Sequence, residues 1–112
     1  MQQYILTARM RQHQRLTELH QRKMQGFAIA QTAAQLLKAE FAAARVVVFG
    51  SLLSEYFHET SDIDLAVWEL PEKSYLKAVG RLLSLSEFEF DLVEAQYASP
   101  EILAAIAKGT EL

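Results

Sequence analysis

The chain contains no cysteine, and its 4 glycines and 2 prolines among 112 residues leave few of the usual breaks in regular structure. Without thiols, disulfide staples and thiolate zinc sites are excluded, and the composition suits a reducing compartment. No apolar run approaches the ~20 residues that a bilayer-spanning helix needs. The opening MQQYILTARMRQHQR lacks the ordered basic, apolar and small-residue regions of a secretory leader, so the cytoplasm is the expected location. Hydrophobic residues nevertheless make up 51% of the chain and charged residues 22%. That balance excludes a disordered tail and predicts one compact domain over 1–112, hiding roughly two-thirds of its unfolded surface.

Charge is unevenly distributed. Residues 1–44 carry six Lys/Arg against two Glu, whereas residues 45–112 carry five against twelve acids, giving +4 and -7. An acidic half attracts cations and repels nucleic acid, so a phosphate ligand would reach it through a divalent metal.

From Gln2 to about Glu40 the residues are mostly good helix formers, with one glycine, and predict a long helical segment over 1–40 that breaks near Gly26. Met24, Phe27, Ala30, Ala33, Leu37 and Phe41 recur at three- and four-residue steps and should face the domain. At Arg45 the pattern switches to VVVF closed by Gly50, a buried strand entering a tight turn. Ser51 suits the N-cap of a short helix through Phe57, and 58–61 reads as a loop before a strand Asp62–Trp68. Pro71 opens a helix ending near Ser86, Phe88–Glu94 reads as a third strand, and Ser99-Pro100 starts a last helix to about Lys108. Three short strands alternating with helices predict an α/β or α+β domain, its core at 45–112 and its sheet covered largely on one side.

Alternation within DIDLAVW puts Asp62, Asp64 and Ala66 on one face and Ile63, Leu65 and Val67 on the other. Two carboxylates about 6.6 Å apart along a strand repel one another unless protonated or bridged by cations. Oxygen-only ligands suit magnesium, which takes substrate phosphate oxygens into its shell. FEFDLVE adds Asp91 on a second strand, with Phe88, Phe90 and Leu92 opposite. Three acids could then hold two metal ions for an in-line displacement, with Asp91 also able to accept a proton. Upstream, Gly50 permits close approach of a phosphate to backbone N–H groups, and Ser51 adds a hydroxyl.

Asp-x-Asp alone is usually a solvated strand end, and Gly-Ser after a strand is usually a turn and cap. Together, Gly50-Ser51, ten residues and Asp62-x-Asp64 form a spacing that chance gives in roughly one chain in a thousand of this length. The strand before Gly50 and the later strand bearing Asp91 supply the context that a functional reading needs.

VVVFGS, SDIDLAV after the ten-residue gap, and FDLVE resemble the minimal nucleotidyltransferases of the DNA polymerase β-like superfamily, over about residues 25–110. The resemblance implies a small mixed sheet with flanking helices, Mg-ATP as donor, Asp62, Asp64 and Asp91 as metal-holding acids, and Gly50 and Ser51 holding the triphosphate. Small members of this family are often antitoxins paired with a helical HEPN-domain ribonuclease, and some transfer AMP to a tyrosine of that toxin. A protein partner is therefore the expectation, with no membrane and no direct nucleic-acid contact. Many relatives carry a basic residue soon after Gly-Ser, whereas Leu52, Leu53, Ser54 and Glu55 follow here. Arg81, Lys77 or a partner's arginine would have to compensate the triphosphate. The alternatives are an antitoxin that acts by binding alone, and transfer to a small molecule such as an aminoglycoside.

Outside the motif, His13 and His20 lie seven apart on one helix face, His58 sits in the loop before Asp62, and Trp68 shares the face of the acids as either core or base-stacking platform. Leu6, Met10, His13, Thr17, His20, Met24 and Phe27 follow a coiled-coil-like rhythm with a poor apolar seam. Arg9, Arg11, Arg15, Arg22 and Lys23 make this helix basic, without the interleaved aromatics of a nucleic-acid surface.

Overall fold

The structure is a computed structural model describing residues 2–54, 57 and 61–112, with side chains from Thr7 onward. The chain runs α1 (Gln2–Phe41), β1 (Arg45–Phe49), a 3-10 turn (Gly50–Leu53), β2 (Ile63–Trp68), a 3-10 turn (Glu72–Ser74), α2 (Tyr75–Leu83), β3 (Phe90–Glu94), a 3-10 turn (Ala95–Tyr97), α3 (Pro100–Ala107) and β4 (Thr110–Glu111). The strands form one mixed sheet in the order β3-β2-β1-β4. β1 is antiparallel to both β2 and β4, while β2 and β3 are parallel.

Strand alternation sorts the side chains as expected. Val46, Val48, Ile63, Leu65, Val67 and Leu92 point to one face and pack with Ala30, Ala33 and Leu37 of α1 and Ala78 and Leu82 of α2. Val47, Phe49 and Ala66 point to the other, where Ile106 of α3 covers them with Trp68, Val93, Ala98 and Ala105 alongside. Among the described residues, the first face is roofed by two helices, whereas the second is covered by the short α3 and the segment leading into it.

Several boundaries differ from expectation, each for a tertiary reason. α1 continues unbroken through Gly26, because that glycine is a close-approach site: an added Cβ would stand 2.9 Å from Leu52 and 3.4 Å from Phe57. Ser51 is not a cap but lies inside a single 3-10 turn, its carbonyl accepting from the Ser54 N–H at 3.0 Å and the Ser54 hydroxyl at 3.0 Å. Residues 55 and 56 of the expected helix, and 58–60 of the expected loop, lie outside the described residues. Pro71 precedes a 3-10 turn, and α2 begins only at Tyr75 and stops at Leu83. β3 starts at Phe90, since Phe88 is drawn into the core against Phe57, with ring centroids 6.2 Å apart. At α3 the Ser99 hydroxyl accepts from Ile102 N–H at 3.3 Å and Pro100 takes the first turn, as the sequence predicts.

The fourth strand was not anticipated. Gly109 fits where a Cβ would lie 2.6 Å from the Val48 carbonyl, which lets Thr110 and Glu111 pair with Val48 and Val47. Arg45 and Glu111 form an ion pair, and Lys38 donates to the Leu112 carbonyl at 2.9 Å, tying this edge strand to β1 and α1.

Candidate active site

The end of the sheet where β1 leaves and β2 and β3 enter gathers the motif residues. Phe49 pairs with Asp64 across the antiparallel β1-β2 ladder, and Asp64 pairs with Asp91 across the parallel β2-β3 ladder. Partners on neighbouring strands stand about 4.8 Å apart, and equal register directs both acids to the same face. That face is the one bearing Ala66 and Val93, so Asp91 lies beside Asp64 and not behind the sheet. Asp62 is exposed and sits one residue before β2 begins.

Gly50 turns the chain over this pair. Its φ is +77°, a left-handed backbone favouring glycine, and an added Cβ would stand 2.3 Å from Asp64 Oδ2. The glycine is thus required twice, for the turn and for the carboxylate that occupies the space of its missing side chain.

Electrostatics follow from the crowding. Burial raises the Asp64 carboxyl from 3.8 to about 6, with the charges of Asp91 and then Asp62 adding to the rise. A half-buried acid with two acidic neighbours favours either a proton or a cation. Hard oxygen donors on adjacent strands, one of them packed against the Gly50 turn, suit a divalent ion such as magnesium. Among the described residues, however, no three His, Cys, Asp or Glu side chains stand together as a ready-made metal cluster. Asp64 and Asp91 form a pair, with Asp62 at its margin.

Tyr75, whose spacing with Val79, Leu82 and Leu83 predicts only a buried helix stripe, is not an expected site residue. Its hydroxyl donates to the Leu92 carbonyl at 2.7 Å, one residue from Asp91, and thereby anchors the outer edge of β3. Burial first, then the charges of Asp91 and Glu94, raise its phenol above the usual range. The contact joins residues 17 positions apart, and no local pattern signals it.

Other expected contributors lie elsewhere. Arg81 is held by Glu40 through two 3.1 Å hydrogen bonds at the helix end that leads into Ala44, whose N–H bonds the Trp68 carbonyl. Trp68 is four residues, about 13 Å, beyond Asp64, so Arg81 serves the opposite end of the sheet. Trp68 is half-buried against the second core cluster, with the Arg45 guanidinium 4.4 Å over its ring, at the end of the sheet away from the acids. His58 lies outside the described residues. His13 and His20 are exposed on α1, and Lys77 is exposed on α2.

The polymerase β nucleotidyltransferase family model matches residues 31–112. Among curated proteins nothing matches the chain. Among solved structures, the chain is similar to one from an MntA-HepT toxin-antitoxin complex, with 22% identity and a TM-score of 0.61 over 73% of this chain and 70% of that one. It is also similar to a chain of the complex between a tri-AMPylated Shewanella oneidensis HEPN toxin and its MNT antitoxin, at 23% identity and a TM-score of 0.58 over 77% and 70%. A further structure, described as a candidate minimal nucleotidyltransferase, shares 27% identity over 85% of this chain and 92% of its own, with a TM-score of 0.50. Likenesses at 22–23% identity speak to the fold, but the family match spans the strand-turn-strand unit, Asp91 and the closing strand β4. With Gly50 turned over Asp64 and Asp91 beside it, this chain belongs to the polymerase β nucleotidyltransferase family.

Proposed function

We propose that the chain is a magnesium-dependent nucleotidyltransferase that moves AMP from ATP onto a tyrosine hydroxyl of a HEPN-family toxin, acting as its cytoplasmic antitoxin. The observation that carries this reading is the Asp64-Asp91 pair in register under the Gly50 turn. Support for the donor comes from a similar chain, at 23% identity and a TM-score of 0.60, in a toxin-antitoxin structure with AMP-PNP. Support for the acceptor comes from the AMPylated HEPN toxin of the Shewanella complex.

Asp62, Asp64 and Asp91 would hold the two magnesium ions, which when bound neutralise polyphosphate charge and lower the proton affinity of the acceptor hydroxyl. Gly50 lets the triphosphate approach the backbone closely, and the half-buried Ser51 contributes its hydroxyl. The acceptor oxygen attacks the α-phosphorus, the bond to the bridging oxygen breaks, pyrophosphate leaves, and Asp91 takes the hydroxyl proton. Neither Leu52 nor Leu53 offers positive charge, and Arg81 is engaged elsewhere. The remaining compensation falls to the cations, to the exposed Lys77 and to the partner. Incubation with labelled ATP, magnesium and the partner toxin should label the toxin, and Asp64→Asn should abolish labelling while the protein stays folded. Labelling that persists in Asp64→Asn would refute the assignment.

A second reading is favoured by the missing cation after Ser51 and by the lack of a three-acid cluster among the described residues. In it the chain neutralises its partner by binding alone. Neutralisation that survives Asp64→Asn, with no label in the unmodified pair, would select it.

A further inference from the structure

α1 is far longer than the domain needs. Its 40 residues span about 60 Å, and the molecule's longest extent is 62 Å. Contact with the body of the domain is evident at Arg22, whose guanidinium lies 4.4 Å over the Phe88 ring, and at Gly26 against Leu52. Every described side chain from Thr7 to Glu18 is exposed. The preceding ~30 Å of helix therefore projects as an arm. A helical arm without a packed face is marginal by propensity alone, so it gains order from whatever covers it. The family match begins at residue 31, and the arm lies outside it.

The exposed stripe of the arm is Met10, His13, Thr17, His20 and Met24, at alternating three- and four-residue steps, with Met10 71% and Met24 60% exposed. Arg9, Leu16 and Lys23 run along one flank, Leu16 being 60% exposed, and Gln14 and Gln21 along the other. Residues 7–25 hold five Lys/Arg and one Glu.

We propose that this arm docks an acidic amphipathic helix of a partner protein along the Met10-Thr17-Met24 stripe. Charge decides the occupant. A second copy paired antiparallel about Thr17 would set Arg9 near Lys23, cation against cation, at both ends of the pairing, which opposes self-association. A helix with Glu on its flank instead meets Arg9 and Lys23 and buries the two methionines. Nucleic acid would leave the methionines without apolar cover, lacks aromatic platforms to stack on, and would bring phosphates toward a core of charge -7.

The probe is a synthetic helical peptide about three heptads long, with Leu at seam positions and Glu at the flanks, titrated against the full chain by fluorescence anisotropy. A Lys-flanked version and a duplex RNA of similar length are titrated alongside. Saturable, salt-sensitive binding of the Glu-flanked peptide is expected, with neither the Lys-flanked peptide nor the RNA bound. Arg9→Glu with His13→Glu, both exposed, should weaken it at least about tenfold and admit the Lys-flanked peptide. Met10→Ser with Met24→Ser should weaken it at unchanged melting temperature. Equal affinity for both peptides, preference for RNA, or a chain that sediments as a dimer dissociated by the methionine substitutions would overturn the proposal. The readout is binding, so it stands or falls separately from nucleotidyl transfer.

Discussion

Replacing Asp64 with asparagine should make the metal-free protein more stable at neutral pH, although it removes the acid most central to the proposed chemistry. The carboxyl is raised from 3.8 to about 6, so the folded state holds its proton more tightly than the unfolded chain. The stabilisation from protonated Asp64 is fully present below about pH 4 and is lost as pH rises through about 6. At about 1.36 kcal/mol per pH unit the loss would approach ~3 kcal/mol for a fully buried group. Asp64 is only half-buried, and solvent screening reduces this to about 1–1.5 kcal/mol. Asparagine keeps the shape without the charge, so its advantage should be near zero at pH 4 and reach about 4–8 °C in melting temperature at pH 7.5 for a domain of this size. Chelated samples melted across pH 4–8 test the slope. Added magnesium should then stabilise the native protein and leave Asp64→Asn unmoved. An asparagine variant less stable at pH 7.5, or a gap that ignores pH, would refute the crowding of Asp64 by burial, Asp91 and Asp62.

Gly50→Ala should abolish nucleotide transfer and cost about 1–3 kcal/mol, because the left-handed backbone resists a side chain and the new methyl displaces the Asp64 carboxylate; calorimetric titration with Mg-ATP should detect no uptake. Tyr75→Phe removes the hydroxyl that holds the Leu92 carbonyl and should cost about 1 kcal/mol in urea unfolding. It should also weaken magnesium binding modestly through Asp91, and magnesium affinity unchanged would show that the bond is purely structural. Glu40→Gln releases Arg81, but an exposed, solvent-screened pair contributes little, so melting temperature and transfer should both stay close to native. Arg81→Ala should likewise leave transfer close to native, and a large loss there would mean that Arg81 acts at the triphosphate after all.

What the chain reveals about itself depends on how local the cause is. VVVF advertises β1 as a continuous β-branched apolar run, IDLAVW advertises β2 through its alternating Ile63, Leu65 and Val67, and Ser99-Pro100 marks the start of α3. The faces of the sheet are legible for the same reason: Ile63, Leu65 and Val67 must share one side. Gly26 misleads because a glycine admitted for close packing on Leu52 looks the same in sequence as one that breaks a helix. β4 escapes notice because two residues with one β-branched side chain carry no period, and their pairing with Val47 and Val48 is fixed by distant Gly109 packing. The identities of the clustered acids could be read from spacing. Their adjacency could not, since the register of Asp64 with Asp91 depends on a parallel strand order set by α2 and its crossover. The Arg81-Glu40 bond, across 41 residues, was beyond any local rule.

The two faces of β2 explain how a strand can carry a self-repelling site at its mouth. Ile63, Leu65 and Val67 are each fully buried beneath α1 and α2. Burying three such side chains is worth roughly 5–9 kcal/mol as an upper bound, several times the ~1–1.5 kcal/mol lost to the ionisation of Asp64. The apolar face therefore fixes the position of Asp64 whatever the charge state of its carboxyl. The opposite face carries the smaller cluster under Ile106, beside which Asp64 and Asp91 stand at the Gly50 end. If that division holds, Val67→Ala, on the roofed face and remote from the acids, should lower stability by about 1–3 kcal/mol and leave the pH slope attributed to Asp64 intact. A changed slope would mean that the two faces are coupled and that the charge on Asp64 is sensed through the core.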